Sequence, residues 1–112
     1  EALSLLDGKR VVALSGIASP QGFEDELVRL GSTVVDHHLY ADHHRYIPGE
    51  IDRAIDDAYV HNADMVVTTE KDAARFPELV DIRLPVYYLR VEIEMLDGED
   101  QFDQWVSRVC FA

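Results

Sequence analysis

The sequence has little cysteine, no long apolar run and few basic residues, and each shortage excludes a class of protein. The only cysteine among the 112 residues is Cys110, so no internal disulfide can form, and a small buried thiol is the expected state. No apolar stretch approaches the roughly 18 residues of a membrane-spanning helix, and no signal peptide is visible. The formal net charge of −12 argues against nucleic acid as a partner and against binding of this chain alone to an anionic membrane.

A phosphate-binding P-loop is also missing. The chain contains no Gly-x-x-x-x-Gly-Lys-Ser/Thr sequence, so it has no segment of this kind to cradle a triphosphate. The turn at residues 16–20 could present backbone N–H groups to an anion, but an ordinary strand-to-helix turn explains it more simply. The chain begins with Glu1 rather than Met, so we expect it to be trimmed, processed or cut from a longer protein.

Short continuous apolar runs alternate with amphipathic segments. The runs predict buried strands at 11–15, 33–36, 65–68 and 86–89. Ser19 is expected to cap a helix that begins at Pro20, because serine is a good N-cap and proline suits the first helical position. A second helix is expected to begin near Pro48, with one apolar face formed by Ile51, Ile55 and Tyr59.

The rest of the chain completes an α/β pattern. Thr69 and Asp72 match the Thr-x-x-Asp capping signature of a short helix. Residues 91–95 alternate as an exposed or edge strand should, and the last segment predicts an amphipathic helix. The apolar residues of that last helix are Phe102, Trp105, Val106 and Val109. We therefore predict a single α/β domain over residues 1–112, with a mainly parallel sheet of about four to five strands flanked by helices. Ligands of such sheets bind at the carboxyl ends of the strands.

Four of the five histidines lie in residues 36–46, where Asp-His-His-x-Tyr occurs twice, six residues apart. The first copy begins at Asp36 and the second at Asp42. Histidine changes charge near neutral pH, and a neighbouring carboxylate can orient its ring or share a metal ion with it. The two copies are therefore the candidate chemical centre of the chain.

These residues leave two functions open. The first copy is similar to the strand-end motif of the Asp-His-His phosphoesterases, which hold two divalent metals with several further aspartates. The first strand here carries no such aspartate, so weak binding of a transition metal by a surface histidine cluster is favoured over a catalytic metal centre. The other possibility is a non-catalytic α/β interaction module.

Four motifs occur in order: residues 12–20 followed by Phe23 and Leu27, residues 42–46, residues 68–73, and residues 85–89 before an acidic alternating segment. This series resembles the C-terminal domain of the tetraacyldisaccharide 4'-kinases, the lipid A 4'-kinases of Gram-negative bacteria. The resemblance covers roughly residues 8 to 96. It implies a P-loop kinase that transfers the γ-phosphate of ATP to the 4'-hydroxyl of tetraacyldisaccharide 1-phosphate, a lipid A precursor.

The resemblance also implies how such an enzyme is divided. ATP and Mg²⁺ would bind mainly to an N-terminal P-loop domain, which is absent from this chain and would be its partner within the intact enzyme. That enzyme would lie at the cytoplasmic side of the inner membrane as a peripheral protein. This chain alone is expected to be soluble and inactive.

The resemblance assigns roles to the second Asp-His-His copy. Asp42 and His43 correspond to the family's catalytic Asp-His pair, and His43 would partner the aspartate of the N-terminal domain that receives the hydroxyl proton. Candidate substrate or interdomain contacts are Ser19, His44, Tyr46, Glu70 and Lys71. Ser19 departs from the Asn or Lys more usual there. No metal ligand is implied, and His37 and His38 are interpreted as incidental.

Overall fold

The computed structural model describes the backbone of residues 3–77, 84–96 and 99–108, and the side chains of residues 5–77 and 84–89. After a 3₁₀ turn at Leu3–Leu6, the strands are β1 (Arg10–Ser15), β2 (Thr33–Leu39), β3 (Met65–Thr69), β4 (Val86–Leu96) and β5 (Glu99–Arg108). The helices are α1 (Pro20–Arg29), α2 (Pro48–Val60) and α3 (Glu70–Ala73). No helix among these described segments is long and apolar enough to cross a membrane.

The strands form one sheet in the order β2-β1-β3-β4-β5. The first four are parallel to one another, and β5 is antiparallel to β4. This arrangement confirms the predicted α/β fold and all four predicted strand positions. Because β1, β2 and β3 run in the same direction, the loops that follow them meet at one edge of the sheet.

Apolar side chains cover both faces of the central strands. On one face Val12 and Leu14 of β1 pack against α2, which buries Ile51 and Ile55. On the other face Val11 and Ala13 pack with the buried residues of α1. This explains why the strands read as continuous apolar runs, since alternate residues are buried on opposite sides.

The predicted C-terminal helix is wrong. Residues 99–108 form β5, which pairs with β4 from Leu96↔Glu99 to Tyr87↔Arg108. The apolar spacing of this segment suits a helix, but the pairing with a long neighbouring strand overrides the local pattern. The dipeptide Asp97-Gly98, a strong two-residue hairpin signal, points to the observed result. Val109 and Cys110 lie outside the described residues.

Three smaller expectations also need correction. Residues 91–95 form a strand as predicted, as part of β4, but not at the edge of the sheet, because β5 pairs outside them. Their exposure lies outside the described side chains. Ser19 occupies the N-cap position of α1, and Pro20 the first helical position, but the Ser19 side chain makes no capping hydrogen bond. Tyr59 is 50% exposed, because Ala54 and Ala58, rather than Tyr59, complete the buried face of α2.

Candidate functional site

Three loops converge at the carboxyl edge of the sheet. The first follows β1 at Gly16, the second joins β2 to α2 and carries the second Asp-His-His copy, and the third leads from β3 directly into α3. Backbone hydrogen bonds tie the first two together: the Tyr40 amide donates to Ser15 O at 2.8 Å, and the His43 amide donates to Gly16 O at 3.2 Å. The second loop is therefore fixed against the end of the central strand.

A buried carboxylate, Asp72, joins all three loops. Its side chain is fully buried, and its Oδ1 accepts hydrogen bonds from the Gly16 amide at 3.0 Å and from the Tyr46 hydroxyl at 3.0 Å. Its Oδ2 accepts one from Thr69 Oγ1 at 2.6 Å. Arg75 supplies the positive charge, with Nη2 at 3.1 Å from Oδ1. A buried charge needs such a full set of partners to be tolerated.

The Thr-x-x-Asp signature is therefore only partly a helix cap. Thr69 Oγ1 accepts a hydrogen bond from the Asp72 amide at 3.1 Å, as predicted. The Asp72 carboxylate also accepts hydrogen bonds from Gly16 and Tyr46, which lie on the other two loops. The motif contributes more to joining the loops than to capping the four-residue α3.

We call the meeting point of the three loops, where Gly16, Tyr46 and Thr69 hydrogen-bond to Asp72, the junction. The loops approach one another so closely there that only glycine fits at position 16. A Cβ atom at this position would lie 2.8 Å from Ala41 O and 3.0 Å from the Tyr46 hydroxyl. Both distances are shorter than ordinary van der Waals contacts, so any side chain would push the first and second loops apart.

Tyr46 and His44 form the inner side of the second loop. Tyr46 is buried, and its ring makes edge contacts with Tyr40, His44 and Phe76. Burial first, and then the negative charge of Asp72, raises the pKa of the Tyr46 hydroxyl well above its ordinary value. Tyr46 therefore stays a neutral hydrogen-bond donor to Asp72 throughout the ordinary pH range.

His44 connects this aromatic cluster to the start of α2. Its ring stacks on Tyr40 at 4.7 Å between centroids, and its Nε2 lies 2.9 Å from both carboxylate oxygens of Glu50. Glu50 also accepts a hydrogen bond from the Ile47 amide at 2.9 Å. Burial acts to raise the pKa of Glu50, but the bonds from Ile47 and His44 outweigh it, and the pKa is lowered.

His43 has the opposite character. Its backbone adopts a left-handed conformation with φ of 65°, and its side chain is 84% exposed. Arg75 Nη1 lies 3.2 Å from His43 Nδ1, and since a guanidinium can only donate, Nδ1 is the acceptor. The ring proton is then on Nε2. Arg75 thus links the exposed imidazole to the buried Asp72.

Asp42 stands beside His43 on the solvent side. Its Oδ2 lies 3.7 Å from His43 Nε2, and its side chain is 47% exposed. The distance is longer than a hydrogen bond. An exposed imidazole held on one nitrogen by Arg75 leaves Nε2 accessible, where it can contact a group on another surface.

The three remaining predicted residues share a cleft. Ser19, Glu70 and Lys71 line a cavity of about 740 Å³ between the first and third loops, together with Ile17, Ala18, Thr69, Ala74 and Leu89. Lys71 is exposed at this cleft. An open, mostly apolar cleft with a cationic group suits the contact role predicted for these three residues, which stays a prediction.

The first Asp-His-His copy is divided between the two faces of the sheet, as strand alternation predicts. His37 lies on the α1 side, with Nε2 2.7 Å from Ser15 Oγ and an edge contact to Phe23. Burial lowers its pKa. His38 lies on the α2 side, with Nε2 2.8 Å from Asp57 Oδ2. The two rings therefore cannot serve one metal centre.

The structure brings the predicted residues into three neighbouring groups, one of which is the cleft of Ser19, Glu70 and Lys71, and adds residues that the sequence does not reveal. Asp42 and His43 lie outside the junction, while His44 and Tyr46 lie within its packing. Gly16, Asp72 and Arg75 hold the loops together, and no motif in the sequence marks them for that role. The capping signature points to Asp72 alone. Its contact with Gly16 could not be predicted from a local pattern, because the two residues are 56 positions apart along the chain.

Comparison with known proteins gives a consistent result. The family model described as tetraacyldisaccharide-1-P 4'-kinase matches residues 1–110. A relative from Anaeromyxobacter dehalogenans (strain 2CP-C), called tetraacyldisaccharide 4'-kinase, is 45% identical over 103 residues, which are 88% of this chain and 27% of the relative. Relatives of the same name from Methylorubrum extorquens and Halothermothrix orenii are 40% identical over 87% of the chain and 34% identical over 83% of it. They are covered over 29% and 26% of their own lengths.

The chain thus spans about a quarter of the length of the curated relatives it matches. No solved structure matches it at a significant level. The family match extends over nearly the whole sequence and includes all three loops of the junction. The chain belongs to the tetraacyldisaccharide-1-P 4'-kinase family.

Proposed function

We propose that this chain is the C-terminal domain of a kinase that phosphorylates the 4'-hydroxyl of tetraacyldisaccharide 1-phosphate with ATP, in lipid A biosynthesis. The observation that carries the proposal is the family match over residues 1–110, together with relatives of that name. The intact enzyme would work as a peripheral protein at the cytoplasmic side of the inner membrane, where its lipid substrate is. The N-terminal P-loop domain of the same full-length protein would be its partner.

The described residues do not fit a nucleotide–magnesium site. The turn after β1 lacks the Gly-Lys-Ser/Thr sequence of a P-loop, and the buried Asp72 is fully occupied by its own partners. ATP and Mg²⁺ would therefore bind mainly to the N-terminal domain. What this chain contributes is the arrangement of its own loops against that domain.

Within this proposal His43 acts on the residue that accepts the substrate proton. In phosphoryl transfer the 4'-oxygen bonds to the γ-phosphorus, the bond to the ADP oxygen breaks, and the hydroxyl proton passes to a carboxylate. His43 Nε2–H would donate a hydrogen bond to that carboxylate of the N-terminal domain. The donor is oriented because Arg75 occupies Nδ1, and the ring is exposed enough to reach another surface.

Asp42 would assist through its negative charge, which lies 3.7 Å from Nε2. A hydrogen bond from the imidazole would orient the carboxylate of the N-terminal domain and adjust its basicity. The assignment of Asp42 and His43 as the catalytic pair rests on the family resemblance and on this exposed geometry. Ser19, Glu70 and Lys71 would contact the substrate or the N-terminal domain through the cleft that they line.

The alternative of a metal-dependent phosphoesterase loses support on two counts. Its Asp-His-His motif places His37 and His38 on opposite faces of the sheet. The end of β1 offers Ser15 and Gly16 rather than a carboxylate. Neither arrangement assembles the pair of metals that such enzymes need within the described part of the chain.

Phosphoryl transfer by the full-length protein tests the proposal. The full-length protein is incubated with γ-labelled ATP, Mg²⁺ and tetraacyldisaccharide 1-phosphate in detergent micelles, and the lipid product is analysed. We expect label at the 4' position, and no transfer by the 112-residue chain alone. Absence of lipid phosphorylation by the full-length protein, or chelator-sensitive hydrolysis of an activated phosphodiester by either protein, would contradict the proposal.

A further inference from the structure

A second cluster of ionisable side chains lies away from the junction, between the edge strand β2 and α2. Asp36, His38 and Asp57 each place one potential metal-ligand atom within 4.8 Å of the other two. Among the described side chains this is the group of three whose atoms approach closely enough to share an ion. It includes two of the three residues of the first Asp-His-His copy, for which the proposed kinase role has no use.

An irregularity in the strand creates the cluster. The pairing of β1 with β2 shifts by one residue between Val11↔Val34 and Val12↔Asp36, so Val35 is an extra residue in β2. Without this bulge, Asp36 and His38 would point toward α1, because strand residues alternate. With it, both face α2 and meet Asp57. Bulges that re-aim side chains are common next to functional sites.

The distances between the potential ligand atoms lie on either side of the distance expected between two ligands of one zinc ion. His38 Nε2 lies 2.8 Å from Asp57 Oδ2 and 3.8 Å from Asp36 Oδ2. Ligand atoms at about 2.0–2.1 Å from a tetrahedral zinc ion are roughly 3.3 Å apart. A bound ion would therefore lengthen one distance and shorten the other by about half an ångström.

The cluster is only partly open to solvent. The His61 ring beside it donates a hydrogen bond from Nδ1 to the Asp57 carbonyl oxygen at 2.9 Å, and Nδ1 also lies 2.9 Å from Asp57 Oδ1. The side chains of His38 and Asp57 are only 15% and 19% exposed, whereas Asp36 is 48% exposed, so one side of the cluster stays open to solvent.

We propose that Asp36, His38 and Asp57 form a binding site for a divalent transition-metal ion of the zinc type. His38 Nε2 and one oxygen from each carboxylate would be the three protein ligands, with water in the fourth position. The imidazole selects zinc, nickel or copper over Mg²⁺ and Ca²⁺, which prefer oxygen ligands alone. Two carboxylates and a neutral imidazole also leave the occupied site without net charge.

Binding has a defined proton balance. In the free protein His38 Nε2 donates its hydrogen to Asp57, because the carboxylate can only accept. Zinc replaces that hydrogen, and the proton moves to Nδ1 of a neutral ring or leaves to solvent from a charged one. Affinity should therefore fall as the pH is lowered. The bound ion would tie β2 to α2, the two elements that flank the loop of His43.

Titration of the 112-residue chain with zinc chloride tests the site. We expect saturable binding of one ion per chain at zinc concentrations below roughly 100 µM, a shift of the His38 ring ¹⁵N resonances, and a rise in melting temperature. Loss of a residue that only hydrogen-bonds to a metal ligand lowers metal affinity by roughly tenfold or more. His38→Gln and Asp57→Asn change the ligands themselves, so each should lower zinc affinity by at least that much. Mg²⁺ at the same concentration should not compete.

His44→Gln is the matched control, because His44 also pairs with a carboxylate, that of Glu50, but belongs to no close group of three potential ligands among the described side chains. This variant should bind zinc as the unaltered chain does. Melting curves show whether each variant is folded. If a variant does not fold, the shift of the His38 ring ¹⁵N resonances in the unaltered chain still shows whether His38 binds the ion. No saturable binding, binding that survives His38→Gln, equal loss in His44→Gln, or competition by Mg²⁺ would each overturn the site.

Discussion

At the scale of single residues, Asp72 decides how the loops of the site are arranged. Its carboxylate accepts hydrogen bonds from the Gly16 amide, the Tyr46 hydroxyl and the Thr69 hydroxyl, and it pairs with Arg75. The sequence pattern around Asp72 predicts a helix cap, which is correct for the Asp72 amide only. The role of its side chain depends on residues 26 and 56 positions away, which no local pattern reveals.

A glycine pair tests how tightly the junction is packed. Gly16→Ala should lower the free energy of unfolding by about 1–3 kcal/mol, because the new methyl group would overlap Ala41 O and the Tyr46 hydroxyl. Gly49→Ala is the control: it lies in α2 with nothing within 4 Å of an added Cβ. That change should be neutral or stabilising by up to about 1 kcal/mol. Urea denaturation measures both, and equal effects would show that the junction tolerates a side chain.

At the scale of elements, the start of α2 is held by a side chain that reaches back to the loop. Glu50 accepts a hydrogen bond from the Ile47 amide and contacts the His44 ring. His43 lies on the same loop, directly before His44 in the sequence. The position of the exposed imidazole therefore depends on how firmly this helix start is fixed.

The lowered pKa of Glu50 gives this contact a pH dependence. Burial opposes the charged form, but the bonds from Ile47 and His44 outweigh it. A carboxyl group with a lowered folded-state pKa contributes stability that is complete above its unfolded pKa, about 4.3. That contribution is lost as the pH falls through the lower folded-state value.

Glu50→Gln should therefore cost about 1 kcal/mol at pH 7, and its difference from the unaltered chain should shrink as the pH falls below about 4. Asp52→Asn, an exposed change on the same helix, should stay within about 0.5 kcal/mol of the unaltered chain. Urea denaturation from about pH 3 to about pH 7 measures these differences. A deficit of Glu50→Gln that grows toward low pH would contradict the assigned contacts.

The elements differ in how well the sequence predicts them. The four parallel strands follow from continuous apolar runs, because burial on both faces leaves a strong local signal. The spacing of Phe102, Trp105 and Val106 predicts a helix, whereas the strand state of β5 depends on pairing with β4. The bulge at Val35 has no local signal either, and it decides which histidine faces which helix.

At the scale of the whole molecule, the candidate site residues lie along one edge of the sheet. It spans about a quarter of the length of its relatives, and the turn after β1 has no P-loop sequence. The exposed His43 and the cleft of Ser19, Glu70 and Lys71 lie on loops at the same edge of the sheet. Under the proposed function, this edge would face the N-terminal domain that binds the nucleotide.

Steady-state kinetics of the full-length protein test the central claim, that His43 serves the transfer reaction. His43→Ala should lower kcat by roughly 10²-fold or more with little change in KM, as expected when an interaction made in the transition state is lost. His37→Ala should cost far less, since its ring contacts Ser15 and Phe23 inside this domain, and a melting curve shows any loss of folding. Equal losses of kcat in the two folded variants, or a larger loss at His37, would contradict the account.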